Sequence, residues 1–182
     1  MDVISSIAAG THVPLPLRGP GGGNRQAVNL DGYVNHTVNM PGQQSYAQFF
    51  RSGVIEGVTE LNQRKEDGDP YFVGPEFTQK VVGALRQYLS VLESYGTGLP
   101  VYAMLSLCNA RRCRYRYVVE GTGGWNDTEP LGRDVVTLPE VLVENFSVDS
   151  PTVLRPLFNI LWNAFGFLRC DMYNAEDRWK GT

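Results

Sequence analysis

The spacing of apolar residues changes period several times along the chain, and each change predicts an element. From Pro75 onward, Phe77, Val81, Leu85, Tyr88 and Leu92 recur every three or four residues. Gln79, Lys80, Arg86, Gln87 and Glu93 fall largely opposite, so the stretch predicts an amphipathic helix. Pro75 at its start and Gly96 just past its end match the residue preferences of helix termini. A second helix is predicted in DSPTVLRPLFNILWNAFGF, where Leu154, Leu157, Phe158, Leu161, Ala164 and Phe165 make a wide stripe. Asp149 or Ser150 can cap it and Pro151 suits its first turn. Pro156 lies inside the stretch and predicts a kink, or a helix that begins there.

Elsewhere the period is two. Over Arg25 to Val38, Ala27, Asn29, Asp31 and Tyr33 alternate with Val28, Leu30, Gly32 and Val34, the pattern of a half-buried strand. After a turn at Pro41, SYAQFFRSGVIEGVTEL predicts two short strands joined at Ser52 and Gly53. Asn62 to Pro70 is polar throughout and predicts a loop. Val101 to Cys108 reads as a buried strand, NARR as its turn and CRYRYVVE as the returning strand. TGGWNDTEPLGRD predicts another loop, and VVTLPEVLVENF a last strand broken or edge-exposed at Pro139. Tyr173 and Trp179 are candidate anchors of the polar tail. The order of elements predicts an α+β fold, a mainly antiparallel sheet with two principal helices packed on one face.

Composition adds a boundary. Hydrophobic residues are 42% and charged residues 19% of the 182, enough apolar material for one folded domain. The 20 glycines and 11 prolines are in excess of ordinary usage and crowd the N-terminal third. Thr11 to Asn24 interleaves prolines with Val13, Leu15 and Leu17 and then runs into GPGGG, at best an edge strand followed by a loop. Residues 1–24 are therefore expected to be a flexible lead, and residues 25–182 a single α+β domain. MDVISSIAAG has no basic start, and no apolar run approaches the roughly 18 residues of a membrane span. Cys108, Cys113 and Cys170 are too few for a disulfide framework. A cytoplasmic protein without membrane contact is expected.

Motifs for catalysis are weak. Gly19 to Gly23 lacks the Lys and Ser/Thr of a phosphate-binding loop. His12 and His36 stand apart, and Cys108 and Cys113 have no second pair with which to hold zinc. No nucleophile elbow is present, and Cys108 lies in an apolar run whose burial would leave it inert. Asp31, Glu56, Asp134, Glu140 and Glu144 remain candidates to converge on a metal ion, as in a nuclease. No cofactor is implied.

The segment with most chemical content is ARRCRYRY. Net charge is -3, with 16 Lys plus Arg against 19 Asp plus Glu, so any anion-binding surface must be local. Arg111 and Arg112 are placed in the turn, and Arg114 and Arg116 on one face of the next strand, with Cys113, Tyr115 and Tyr117 on the other. These guanidiniums suit phosphates or a partner's carboxylates, and Tyr115 is placed to stack. The alternative is an exposed edge whose arginines pair with Glu120, Asp127 or Glu129.

Three stretches, YAQFFRSGVIEGV (Tyr46 to Val58), GRDVVTLPEVLVENF (Gly132 to Phe146) and VLRPLFNILWNAFGFLRCDMYNAEDRW (Val153 to Trp179), resemble the C-terminal region of bacterial Schlafen-like proteins. NLDGYV (Asn29 to Val34) is similar to that region too. In that family an N-terminal AlbA-type nucleic-acid-binding module precedes such a region, and some members act in antiphage defence. The resemblance implies a non-catalytic sensor or regulatory domain that binds a macromolecular partner, with Arg111, Arg112, Arg114, Arg116 and Tyr115 as contacts. It carries over no catalytic residue, and CNARRCRYRY departs from the family pattern, which has a glycine-containing turn there. The expected partner is a protein or a nucleic acid; the alternative functions are a nucleic-acid-binding domain using the same residues, and a metal-dependent nuclease.

Overall fold

A computed structural model of the protein describes residues 3–10, 12–17, 24–37, 44–61, 68–119 and 121–181. In chain order these form α1 (Val3–Ala9), β1 (Asn24–Val28), β2 (Gly32–Thr37), β3 (Ser45–Phe50), β4 (Ile55–Thr59), β5 (Tyr71–Val73) and α2 (Gly74–Ser94). They continue through β6 (Val101–Ala103), β7 (Ser106–Leu107), β8 (Arg114–Val118), β9 (Trp125–Asp127), β10 (Val136–Thr137), β11 (Val141–Val143) and α3 (Ser150–Ala164). The fold is α+β and its strand pairs are mainly antiparallel, as expected. The strands are divided among four sheets, however, and β5 and β8 run parallel.

The chain separates into two compact units, Met1–Glu60 with Lys80–Leu99, and Leu61–Gln79 with Pro100–Thr182. In the first unit, β1, β2, β3 and β4 form an antiparallel meander. The described part of Arg25 to Val38, expected to be one strand, folds back at Asn29. Its Oδ1 accepts hydrogen bonds from the backbone N–H groups of Asp31 (3.0 Å) and Gly32 (2.8 Å), a side-chain-built turn. Gly32 is needed there, because a Cβ would run into the Phe49 carbonyl. The hairpin at Gly53 (φ 85°) forms where the sequence places it.

The described part of the lead segment is also ordered by packing. α1, which the sequence reading missed, buries Ile4 and Ile7 and lies against β2. Residues 12–17 run without strand pairing along α2. Gln87 Nε2 donates to the Val13 carbonyl (2.7 Å), its Oε1 accepts from Leu15 N–H (3.2 Å), and Tyr88 Oη donates to the Leu15 carbonyl (3.0 Å). Gly19 to Gly23, the Pro41 turn and Asn62 to Asp67 lie outside the described residues.

The second unit is built on α3 and an aromatic core. Asp149 caps α3, accepting from Thr152 N–H (3.3 Å), and Pro151 opens the helix. α3 begins at Ser150 and continues through Pro156, so the alternative start at the proline is not taken. Its stripe buries Leu154, Leu157, Phe158, Leu161 and Trp162. Tyr173 and Trp179 anchor the tail as expected. Tyr173 is buried and donates to the Pro151 carbonyl (2.5 Å), while Trp179 stacks near Phe158 with centroids 6.4 Å apart. α2 ends with Gly96 in the left-handed region (φ 73°) and Thr97 N–H bonded to the Leu92 carbonyl (2.9 Å).

Residues 101–118 are not a hairpin. β6 pairs with β11 and β7 with β10, both antiparallel, so each finds its partner more than 25 residues further along. β8 instead lies between β5 and β9, in the middle of a three-stranded sheet. The expected loop at 122–134 therefore contains a strand, β9. Cys108, expected to be buried, is exposed.

Candidate functional site

Alternation along β8 sends Arg114, Arg116 and Val118 to one face and Tyr115 and Tyr117 to the other. The two faces have opposite characters. Tyr115 is 0% exposed, ringed by Trp162, Phe167 and Phe72 with centroids 5.0, 5.4 and 5.6 Å away. Gly74 leaves the space its ring occupies, since a Cβ there would meet Tyr115 and Trp162. Its hydroxyl donates to Asp171 Oδ2 (2.7 Å), and Trp162 Nε1 donates to Oδ1 of the same carboxylate (3.1 Å). Burial first, and then that hydrogen bond, push the phenol well above its ordinary range. Tyr115 presents no surface for stacking, so its expected role as a contact is corrected to one in the core.

The arginines meet carboxylates from flanking segments. Asp69, just ahead of β5, accepts from Arg112 Nε (2.6 Å) on one oxygen and Arg114 Nε (3.0 Å) on the other. The bonds from Arg114 and from Arg112 hold the Asp69 carboxyl below its ordinary range. Arg114 Nη1 also donates to the Thr128 carbonyl (2.7 Å), tying β8 to the end of β9. Arg116 makes a two-pronged pair with Asp127, at 2.6 and 2.7 Å, and its guanidinium lies 3.6 Å from the centroid of the Tyr71 ring. Arg111 approaches Asp134 at 3.8 Å.

Arg112 has left-handed backbone geometry (φ 70°), unusual for a residue with a Cβ. Its N–H donates to the Leu131 carbonyl (2.8 Å), which holds the turn in that form. The guanidinium stands out at 74% exposed.

Cross-strand register completes the outer face. Tyr71 lies beside Arg114, Val73 and Asp127 flank Arg116, and Trp125 pairs with Val118. Trp125 is 59% exposed and Val118 about half exposed. The face is thus an exposed aromatic and aliphatic pair next to an ordered row of arginines. Of the predicted contacts, Arg112, Arg114 and Arg116 gather here, Arg111 stands in the adjoining turn near Asp134, and Tyr115 is in the core. Asp69, Tyr71 and Trp125 were missed, because nothing in the local sequence says that β5 and β9 flank β8, and Val118 was missed because its exposure depends on that placement.

The remaining candidates do not converge. Among the described residues no three His, Cys, Asp or Glu side chains form a group able to hold a metal ion, which leaves the five nuclease carboxylates apart. Burial pushes the Cys113 thiol up to about 11 and that of Cys170 up to about 12, so both stay protonated near neutrality. Asp31 and His36 line an open depression of about 430 Å³ on the β2 and β3 face, with Tyr46, Gln48 and Phe50. Tyr46 donates there to Glu56 Oε1 (2.6 Å). Among the described residues no helix is long and apolar enough to cross a membrane. Comparison with protein-family models, with curated proteins and with solved structures finds no match.

Proposed function

We propose that this chain is a non-catalytic binding domain, of the sensor or regulatory class that the Schlafen-like resemblance implies, and that it takes a protein partner through the outer face of the β5, β8 and β9 sheet. The observation that supports this reading is the charge state of the arginine row. Four guanidiniums lie within 4 Å of three carboxylates, Asp69, Asp127 and Asp134, so the row carries about one net positive charge. Non-specific nucleic-acid binding draws on several uncompensated cations, each releasing counterions. A protein interface instead favours what this face offers, Trp, Tyr and Arg fixed in place beside exposed apolar surface.

Fluorescence anisotropy with labelled single- and double-stranded oligonucleotides at low salt tests the choice of partner, and no binding is expected. Binding that falls steeply with salt and is lost in Arg111→Ala/Arg112→Ala would replace the protein partner with nucleic acid. Affinity capture from cell extract with the wild type and with Trp125→Ala/Val118→Ser tests the face itself. The expected partner is retained by the wild type and lost by the variant. Identical recovery by both would refute the assignment.

A further inference from the structure

The second unit carries another exposed face, opposite in charge to the arginine row. In the β6 and β11 ladder, Tyr102 and Leu142 stand directly opposite each other. Both point outward, at 61% and 44% exposed, and Met104 beyond them is 75% exposed. The alternating residues Ala103 and Val143 point the other way, and Val143 is fully buried, so the ladder has one face in the core and an apolar one in solvent. A half-buried antiparallel ladder ordinarily turns polar residues outward. Here the outward centre is aromatic, thioether and aliphatic.

Acidic side chains bracket that centre. Glu140 and Glu144 lie two residues to either side of Leu142 and are exposed. Neither is drawn into an ion pair among the described residues. Residues 100–108 and 136–144 contain no Lys, Arg or His, so within these two segments the charge is that of the two carboxylates.

We infer that this face docks a basic amphipathic peptide segment, its apolar residues on Tyr102, Met104 and Leu142 and its cations on Glu140 and Glu144. The inference does not rest on the reading of the arginine face. Apolar surface supplies the affinity, and the two carboxylates select a cationic ligand. Met104 and Tyr102 suit the work, the first by adapting its shape and the second by presenting a large rigid ring. Geometry fixes the spacing. Glu140 and Glu144 flank the three-residue strand β11, and an extended chain over those four steps spans about 13 Å, which is about nine residues of α-helix. The preferred segment therefore places Lys or Arg about nine residues apart, with Leu or Phe on the same helical face between them.

The probe is a labelled helical peptide of leucine and lysine with that spacing, compared with the same peptide bearing glutamate for lysine. Anisotropy should show binding of the lysine peptide and none of the glutamate peptide. Tyr102→Ser/Leu142→Ser should weaken binding about tenfold or more, as loss of central interface anchors does. Glu140→Gln/Glu144→Gln should weaken it about three- to tenfold and flatten its salt dependence. Arg112→Ala, on the other face, should leave it unchanged. Tryptophan fluorescence during urea unfolding checks that each variant is folded. Equal affinity for the two peptides, or affinity indifferent to the Tyr102 and Leu142 changes, would overturn the inference. So would concentration-dependent association in sedimentation velocity that the serine variant abolishes, since the face would then belong to a second copy of the chain.

Discussion

Replacing Tyr115 by alanine separates a core role from a surface role more sharply than any other change. The side chain is fully buried and has five aromatic neighbours with centroids between 5.0 and 6.1 Å. Deleting a buried aromatic costs about 3–5 kcal/mol through lost transfer energy and the cavity left behind. Gly74 lies beside the ring without a side chain to fill the space. Were Tyr115 a surface contact, the cost would be within about 0.5 kcal/mol. Tyr115→Phe keeps the ring and removes only the bond to Asp171. Because that carboxylate is exposed and water can replace the hydroxyl, about 0.5–1.5 kcal/mol is expected. All three tryptophans, Trp125, Trp162 and Trp179, belong to the second unit, so urea unfolding followed by tryptophan fluorescence reports on the unit that holds Tyr115. A chain of this size loses about 2–4 °C of Tm per kcal/mol, so Tyr115→Ala should melt about 6–20 °C lower. A Tyr115→Ala protein as stable as the wild type would refute the aromatic core as described.

Other consequences follow from the same geometry. Asp69 has its carboxyl held below the ordinary value of 3.8, so its contribution is complete above that pH and is lost as pH falls through the lowered value. Asp69→Asn should be less stable than wild type at neutral pH, with the gap closing below about pH 4, as read from unfolding midpoints across an acid series. A gap independent of pH would show that the arginines do not hold this carboxylate. Gly32→Ala should cost about 1–3 kcal/mol, since its side chain meets the Phe49 carbonyl, whereas Gly53→Ala, where the space is open, should cost only the left-handed backbone penalty of about 1–2 kcal/mol. Thermal melts of the two variants compare them directly. With a thiol reagent, Cys108 should react in the native protein, and Cys113 and Cys170 only after denaturant is added. Fast native labelling of either buried thiol would contradict the packing around it.

The features legible in the amino-acid sequence are the local ones. Both long helices were legible because a 3.6-residue period, an Asp cap, Pro at a first turn and Gly past an end all act within a few residues of one another. The β3 and β4 hairpin was legible for the same reason, since Gly53 supplies the turn that joins neighbouring strands. Tail anchoring by Tyr173 and Trp179 was readable from two large aromatics in a polar stretch. Tertiary structure decided the rest, because strand pairing depends on surfaces that meet across long sequence separations. β6 and β8 look like two halves of a hairpin, yet β6 pairs with the distant β11, and β8 lies between the distant β5 and its near neighbour β9. That choice makes β8 a central strand, turns Tyr115 into the core and brings Asp69 and Asp127 onto Arg112, Arg114 and Arg116. A guanidinium carries the same charge wherever it lies, and whether it serves as a free cation or half of an ion pair depends on which carboxylates the fold delivers to it.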